Sequence, residues 1–564
     1  MKFSEYAYQR PDIQVIDKQI HDLLEQFNAA DSAEAQSHLI DEMNKVRGEF
    51  ESMAEVAAIR HTIDTTDPYY EQEQDYFDET QPLYQGLVTD IYQALIHSKF
   101  RNELEAKKGK QLFKMAELTL KTFSPEVIEE LQQENRLATE YDKLIASAKV
   151  VFEGEEYNLN QLTPFRVSID RSVRKAATEA FYQFMSDNEA QFDGIYDKLV
   201  KVRSKIAQKL GFESFVELGY ARMLRTDYSA DHVAKFRKQV EDFLVPLTTK
   251  LLQRQQERLG LDVFTYYDEA VQYKTGNATP KGDADWIVKQ AKQMYAEMSP
   301  ETDEFFSFMT DHGLMDLLAK KGKASGGYCT YISKWQSPFI FANFNGTSGD
   351  IDVLTHEGGH AFQAYSSRDF ATPEYQFPTY EAAEIHSMSM EFFAWPWMER
   401  FFGEDVDKYK FTHLGGALLF IPYGVAVDEF QHFVYAHPEA TPTERKAAWR
   451  SLEKRYLPHL NYEGNNYLEN GGFWHKQGHI FSSPFYYIDY TLAQICALQF
   501  WKKMNENHEA AWADYVHLCQ QGGSRSFIEL VKLAGLMSPF EEGCVEAVVG
   551  AAEDYLNQID DKKL

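Results

Sequence analysis

Thr347-Ser348-Gly349-Asp350-Ile351-Asp352-Val353-Leu354-Thr355-His356-Glu357-Gly358-Gly359-His360-Ala361-Phe362 is the stretch around which the chain is organised. It reads as one helix. Thr347 or Ser348 can cap its start, and Ile351, Leu354, Gly358 and Phe362 trace an apolar face. On that helix His356 and His360 are i and i+4, so both imidazoles can converge on one metal ion. Glu357 projects beside them, placed to take a proton from an attacking water. The two glycines cost the helix about 1 kcal/mol each relative to alanine, which points to close approach of another backbone or of a substrate. With 17 His in 564 residues, chance supplies only ~0.05 motifs of the form His-Glu-x-x-His.

Two histidines leave a catalytic zinc short of a protein ligand, since three plus an open position is usual. A third histidine six residues after His360 is excluded, because positions 363 and 366 are Gln363 and Ser366. A later glutamate is the alternative, and Glu374, Glu381, Glu384 and Glu391 are the candidates. Glu374 sits in the connector Ala371-Thr372-Pro373-Glu374-Tyr375, a poor rigid platform. The other three form an acidic stripe on one helix face. One can ligate while another hydrogen-bonds a metal histidine and fixes its tautomer. Spacing leaves both Glu381 and Glu384 open as the ligand.

Outward from this centre, most of the chain reads as helix. Ile16, Ile20, Leu23, Leu24 and Phe27 make one stripe, and Ile195, Leu199, Val202, Ile206 and Leu210 another, with Gly211 at the expected stop. Ser124-Pro125, Ser299-Pro300, Thr441-Pro442 and Ser538-Pro539 mark helix starts. Strand signals are few. Val150-Val151-Phe152 and Tyr157-Asn158-Leu159 flank a hairpin turn, Phe339 to Phe344 is a strand candidate, and Gly327 to Tyr331 is a smaller one. The hairpin is the best boundary between an N-terminal helical region, 1–150, and a catalytic region, 151–564, whose lobes interleave in sequence.

Composition narrows the classes. A net charge of −30 argues against a nucleic-acid groove or an anionic membrane surface. The four cysteines form no short pair, which excludes a thiolate zinc knuckle and fits reduced thiols in the cytoplasm. No apolar leader follows Met1, and the longest apolar run, Leu414 to Val427, is shorter than the ~18 residues that span a bilayer.

His356 to His360, followed by Glu384-Ile385-His386-Ser387-Met388-Ser389-Met390-Glu391, resembles the thimet oligopeptidase / oligoendopeptidase F family of zinc metallopeptidases, with its bacterial Pz-peptidase branch the nearest likeness. Gly211 to Phe215, Tyr220 to Met223 and Phe152 to Glu155 share the likeness. The resemblance implies a mainly α fold of two helical lobes enclosing a deep active-site channel, with a small β element beside the zinc helix. It implies Glu384 as third zinc ligand and Glu391 as its supporting carboxylate, leaving Glu381 as a further supporting candidate. Where relatives have Ala-Pro-Ser-Gln after the ligand, this chain has Ile385-His386-Ser387-Met388. The resemblance also implies that His479 and the tyrosines of Pro484 to Tyr490 face substrate and the developing oxyanion, with Tyr486 and Tyr490 on one helix face and Tyr487 beside them, at a one-residue offset from the family register.

The expected activity is zinc-dependent endopeptidase action on short unfolded oligopeptides, proline-containing and collagen-derived ones among them. His356, His360 and Glu384 hold one Zn2+, Glu357 is the base, and His479, Tyr486 and Tyr490 stabilise the oxyanion. An exposed edge at Phe341 and Asn343 is a candidate strand-addition site for substrate, and Gly327 a candidate turn lining the cleft. Cobalt or manganese suit the same ligands. A helical zinc carboxypeptidase and a non-catalytic peptide-binding protein are the competing readings; intact Glu357 speaks against the second.

Overall fold

Capped amphipathic helices account for most of the chain. In the computed structural model, which describes residues 1–564 apart from 160, 321 and 325, Ile16, Ile20, Leu24 and Phe27 are buried along one helix, and Ile195, Leu199, Val202 and Ile206 along another. Ser124 accepts a hydrogen bond from the Glu126 N–H, Ser299 from Thr302, and Thr441 forms a capping box with Glu444. Ser538 behaves differently. Its carbonyl closes a turn with Glu541 N–H, and the helix begins only at Cys544. Gly543, at φ +86°, is left-handed and interrupts the run.

Two apolar cores result. The smaller one spans Ile16 to Ala116 and takes in Tyr375 from far along the chain. The larger holds the rest, including Leu137 and Tyr141 of the helix Ile128–Ala146. Strands β1 (Val150–Phe152) and β2 (Glu155–Tyr157) pair antiparallel. Their turn is only Glu153 and Gly154, at φ +50° and +89°. This tight left-handed turn lets β2 begin at Glu155, ahead of the expected Tyr157.

The second sheet sits beside the motif helix. It contains β3 (Met315–Leu318), β4 (Tyr328–Ile332) and β5 (Ser337–Phe344) in the order β3-β5-β4. β5 runs parallel to β3 and antiparallel to β4. The segment Phe339 to Phe344 is therefore the central strand, paired on both sides, and has no edge to offer a substrate; the edges belong to β3 and β4.

The motif helix, Gly349–Ser366, packs against β4 and β5 and against the helix Tyr380–Phe393. Its glycines explain the contact. A Cβ on Gly359 would lie 2.6 Å from the His386 carbonyl oxygen, and one on Gly358 would strike the Tyr295 hydroxyl. Backbone approach of the second helix, rather than substrate, requires Gly359. A long helix, Val406–Ala436, carries Pro422 in its interior and absorbs the apolar run Leu414 to Val427. Among the described residues, the segment Glu399–Ala436 is the one helical stretch long and apolar enough to cross a membrane, and 61% of its most apolar window is buried in the protein.

Candidate metal centre and active site

The crossing of those two helices brings His356, His360 and Glu384 together. Glu384 Oε2 lies 3.3 Å from His356 Nε2 and 3.4 Å from His360 Nε2, and the three donor atoms fall within 4.8 Å of one another. Ligands held at ~2.0–2.1 Å in a tetrahedron stand about 3.3–3.4 Å apart. The donor set therefore fits a zinc-sized ion. Burial pushes the Glu384 carboxyl up, but the imidazoles of His360 and His356 outweigh it and hold it well below the usual carboxylate range.

The tautomer of His356 is set from behind. Its Nδ1 is 2.7 Å from Glu391 Oε1, so the ring proton sits there and Nε2 keeps its lone pair for a metal. The other oxygen of Glu391 receives His413 Nε2 at 2.8 Å. His413 Nδ1 in turn accepts from Trp395 Nε1 at 3.2 Å. An indole nitrogen only donates, so the direction of the chain Trp395, His413, Glu391, His356 is unambiguous. One turn before His356, Asp352 accepts from the Tyr409 hydroxyl at 2.6 Å, and burial pushes its carboxyl up to about 6. Glu357 is 8% exposed, and burial raises its carboxyl above the ordinary range, which makes it a stronger base.

The remaining glutamates separate cleanly. Glu374 pairs with Arg47 at 2.8 Å and accepts from Tyr92 at 2.7 Å, tying its connector to the smaller core. Glu381 lies in a buried cluster with Asp489 and Arg225. Among the described residues, Glu391 and not Glu381 hydrogen-bonds His356. His386, the departure from the family pattern, is fully buried on the reverse side, where the Tyr515 hydroxyl donates to its carbonyl.

Across the cleft, Tyr486 donates to Glu384 Oε1 at 3.2 Å. The His479 ring lies 5.8, 5.1 and 6.0 Å from those of Tyr486, Tyr487 and Tyr490. Burial lifts the Tyr490 phenol to about 12, so it stays a donor at neutral pH. A cavity of about 580 Å³ opens here, reached by His356, Glu391, His413, His479, Tyr487 and Tyr490.

The β residues divide. Gly327 is beside Glu357: a Cβ there would be 3.8 Å from Glu357 Oε1. Phe341 is fully buried and stacks on Tyr328 at 4.9 Å. Asn343 donates to the carbonyls of Ala324 and Gly326 at 2.9 and 2.8 Å, holding the glycine turn rather than a substrate. Sequence reasoning passed over Asp352, Tyr409 and His413. Asp352, at i−4 from His356, was detectable from helix spacing. His413 lies on the long apolar helix, and nothing local marks it.

This is the site of a metallopeptidase. The chain belongs to peptidase family M3, whose pattern matches residues 165–549, with the M3 N-terminal domain matching residues 3–123. It is similar to a solved structure of Pz peptidase A with an inhibitor, at 61% identity and a TM-score of 0.94 over 100% of both chains. A structure from Bacillus anthracis str. Ames described as an oligoendopeptidase F is 59% identical, with a TM-score of 0.90, and covers 100% of this chain and 99% of that one. An oligoendopeptidase F homolog of Borreliella burgdorferi is 22% identical over 428 residues, covering 72% of this chain and 70% of that protein. The chain is thus a metalloendopeptidase of oligopeptides, built on the helical fold these proteins share.

Proposed function

We propose that the chain hydrolyses internal bonds of short unfolded peptides with one zinc ion held by His356, His360 and Glu384. What carries this reading is the equal spacing of Glu384 from both imidazoles, at 3.3 and 3.4 Å. Zinc bound there supplies Lewis-acid polarisation of the peptide carbonyl and lowers a water's pKa from ~15.7 toward ~7. Glu357 takes the proton of the attacking water and passes it to the leaving nitrogen. Its burial supports the first transfer, because a raised pKa makes the carboxylate a stronger base. His479 and Tyr490 donate to the oxyanion as charge develops on the carbonyl oxygen. Tyr486, bonded to Glu384, holds the ligand and flanks the same space.

The β4 edge, preceded by Gly327 beside Glu357, replaces Phe341 and Asn343 as the strand on which an extended peptide lies. Proline-containing, collagen-derived peptides are the proposed substrates and the cytoplasm the proposed compartment; four free cysteines, three of them buried, suit a reducing milieu. Glu357→Gln tests the mechanism: bound zinc stays at one per chain while kcat on a quenched peptide falls about 10³-fold. Near-normal turnover would remove Glu357 from the reaction. Mass spectrometry of products from a mixed peptide library, with free and amidated C-termini and with and without chelator, separates endo- from carboxypeptidase action.

A further inference from the structure

We propose that Gln477 is a positioning residue that holds His479 as the neutral Nε2–H tautomer, aimed into the cavity. This rests on the reading of His479 as an oxyanion donor. Gln477 Nε2 is 2.8 Å from His479 Nδ1. The other end of the carboxamide accepts from the Tyr423 hydroxyl at 2.7 Å. Tyr423 is itself wedged by edge-to-face contacts with Trp449, Phe473 and Tyr487. The amide is therefore gripped at both ends. With its oxygen engaged by a hydroxyl donor, its NH2 meets His479, and Nδ1 must be the acceptor. The ring proton then sits on Nε2, which has no hydrogen-bond partner among the described residues.

The choice of an amide matters. His356 and His413 are both backed by the Glu391 carboxylate, and His475 by Asp193 at 3.1 Å. A carboxylate accepts a proton, so it favours imidazolium or a proton on the ring nitrogen that faces it: Nδ1 in His356, which leaves Nε2 bare, and Nε2 in His413 and His475. The His356 arrangement suits a metal ligand, which needs a lone pair forward. A donor for the oxyanion needs a hydrogen forward, and a carboxamide NH2 behind Nδ1 enforces this while opposing a second ring proton. The half-buried site, with no carboxylate bonded to His479, pushes its pKa down and favours the same neutral form.

The test uses the full-length zinc enzyme. Peptide turnover, zinc content and 15N NMR of labelled histidines are measured for Gln477→Glu, Gln477→Ala, Tyr423→Phe and His479→Ala, the last also assigning the His479 signals. In wild type, Nε2 resonates as a protonated nitrogen and Nδ1 as an unprotonated one. Gln477→Glu moves the proton to Nδ1 or raises the His479 pKa, and kcat falls about tenfold or more with KM within about twofold. Gln477→Ala costs less, Tyr423→Phe about threefold, and all variants keep one zinc per chain. His479→Ala costs about 10²-fold. A wild-type Nδ1–H signal, or full turnover in Gln477→Glu beside a crippled His479→Ala, overturns the role of Gln477 alone. Full turnover in His479→Ala overturns the oxyanion reading and this role with it.

Discussion

The helix Tyr380–Phe393 carries two buried carboxyls, one turn apart, that end in opposite charge states. Glu384 faces His356 and His360 and is held ionised. Glu381, one turn earlier, faces Arg225 and Asp489, and burial pushes it up to about 8. Both carboxyls are nearly inaccessible, at 6% and 1% exposure, so desolvation alone does not distinguish them. The neighbours do. Two imidazoles free to share a cation sit before Glu384, whereas Arg225 is already bonded to Asp489 at 2.7 Å, and Asp489 repels a second charge. Acidic stripes read along a helix thus say little about charge state; the partner across the gap sets it.

The sharpest way to break this comparison is to neutralise each side. Glu384→Gln removes the anionic ligand, and zinc affinity and turnover fall together, by about 10³-fold in kcat/KM. Glu381→Gln leaves zinc stoichiometry intact and kcat within about threefold. If both variants lost metal alike, the two sides would be one site. Glu391→Gln should lie between them, weakening zinc by about 10–100-fold through the tautomer of His356. Competition with a chelator reads this directly.

The smallest effect is on stability against pH. Glu381 has a folded pKa near 8 against an ordinary 4.5, and Asp489 near 6 against 3.8. Above the ordinary values the unfolded chain releases protons that the folded chain retains. Stability is therefore full below about 4 and is lost as pH rises through about 6 to 8. Arg225 and the Tyr228 hydroxyl face the same cluster but stay protonated throughout this window. Denaturant midpoints measured across it should decline in wild type and flatten in Glu381→Gln. An equal slope in both would place the titration elsewhere.

How much of this was legible beforehand differs residue by residue. His356, Glu357 and His360 are neighbours along one helix, so a local rule suffices. Glu381 and Glu384 differ by one turn, and both point inward, so only the position of a second helix distinguishes them. β5 was recognisable as a strand from Phe339 to Phe344, but its central place depends on β3. Met315-Asp316-Leu317-Leu318 is too short and too mixed to announce itself. Ser538-Pro539 has the look of a helix start, yet Gly543 delays the helix by a turn.

Helical periodicity, end caps and one five-residue motif are properties of adjacent residues, and from them follow the helical class, the two imidazoles and the Glu357 carboxylate beside them. The third carboxylate, the links from Glu391 to His356 and His413, the order of the sheet and the Tyr423 hydroxyl that anchors Gln477 join residues tens of positions apart. Hydrogen bonds and ion pairs reach only about 3 Å, so such partners are chosen by how the helices cross and pack, and no stretch of chain carries that information alone.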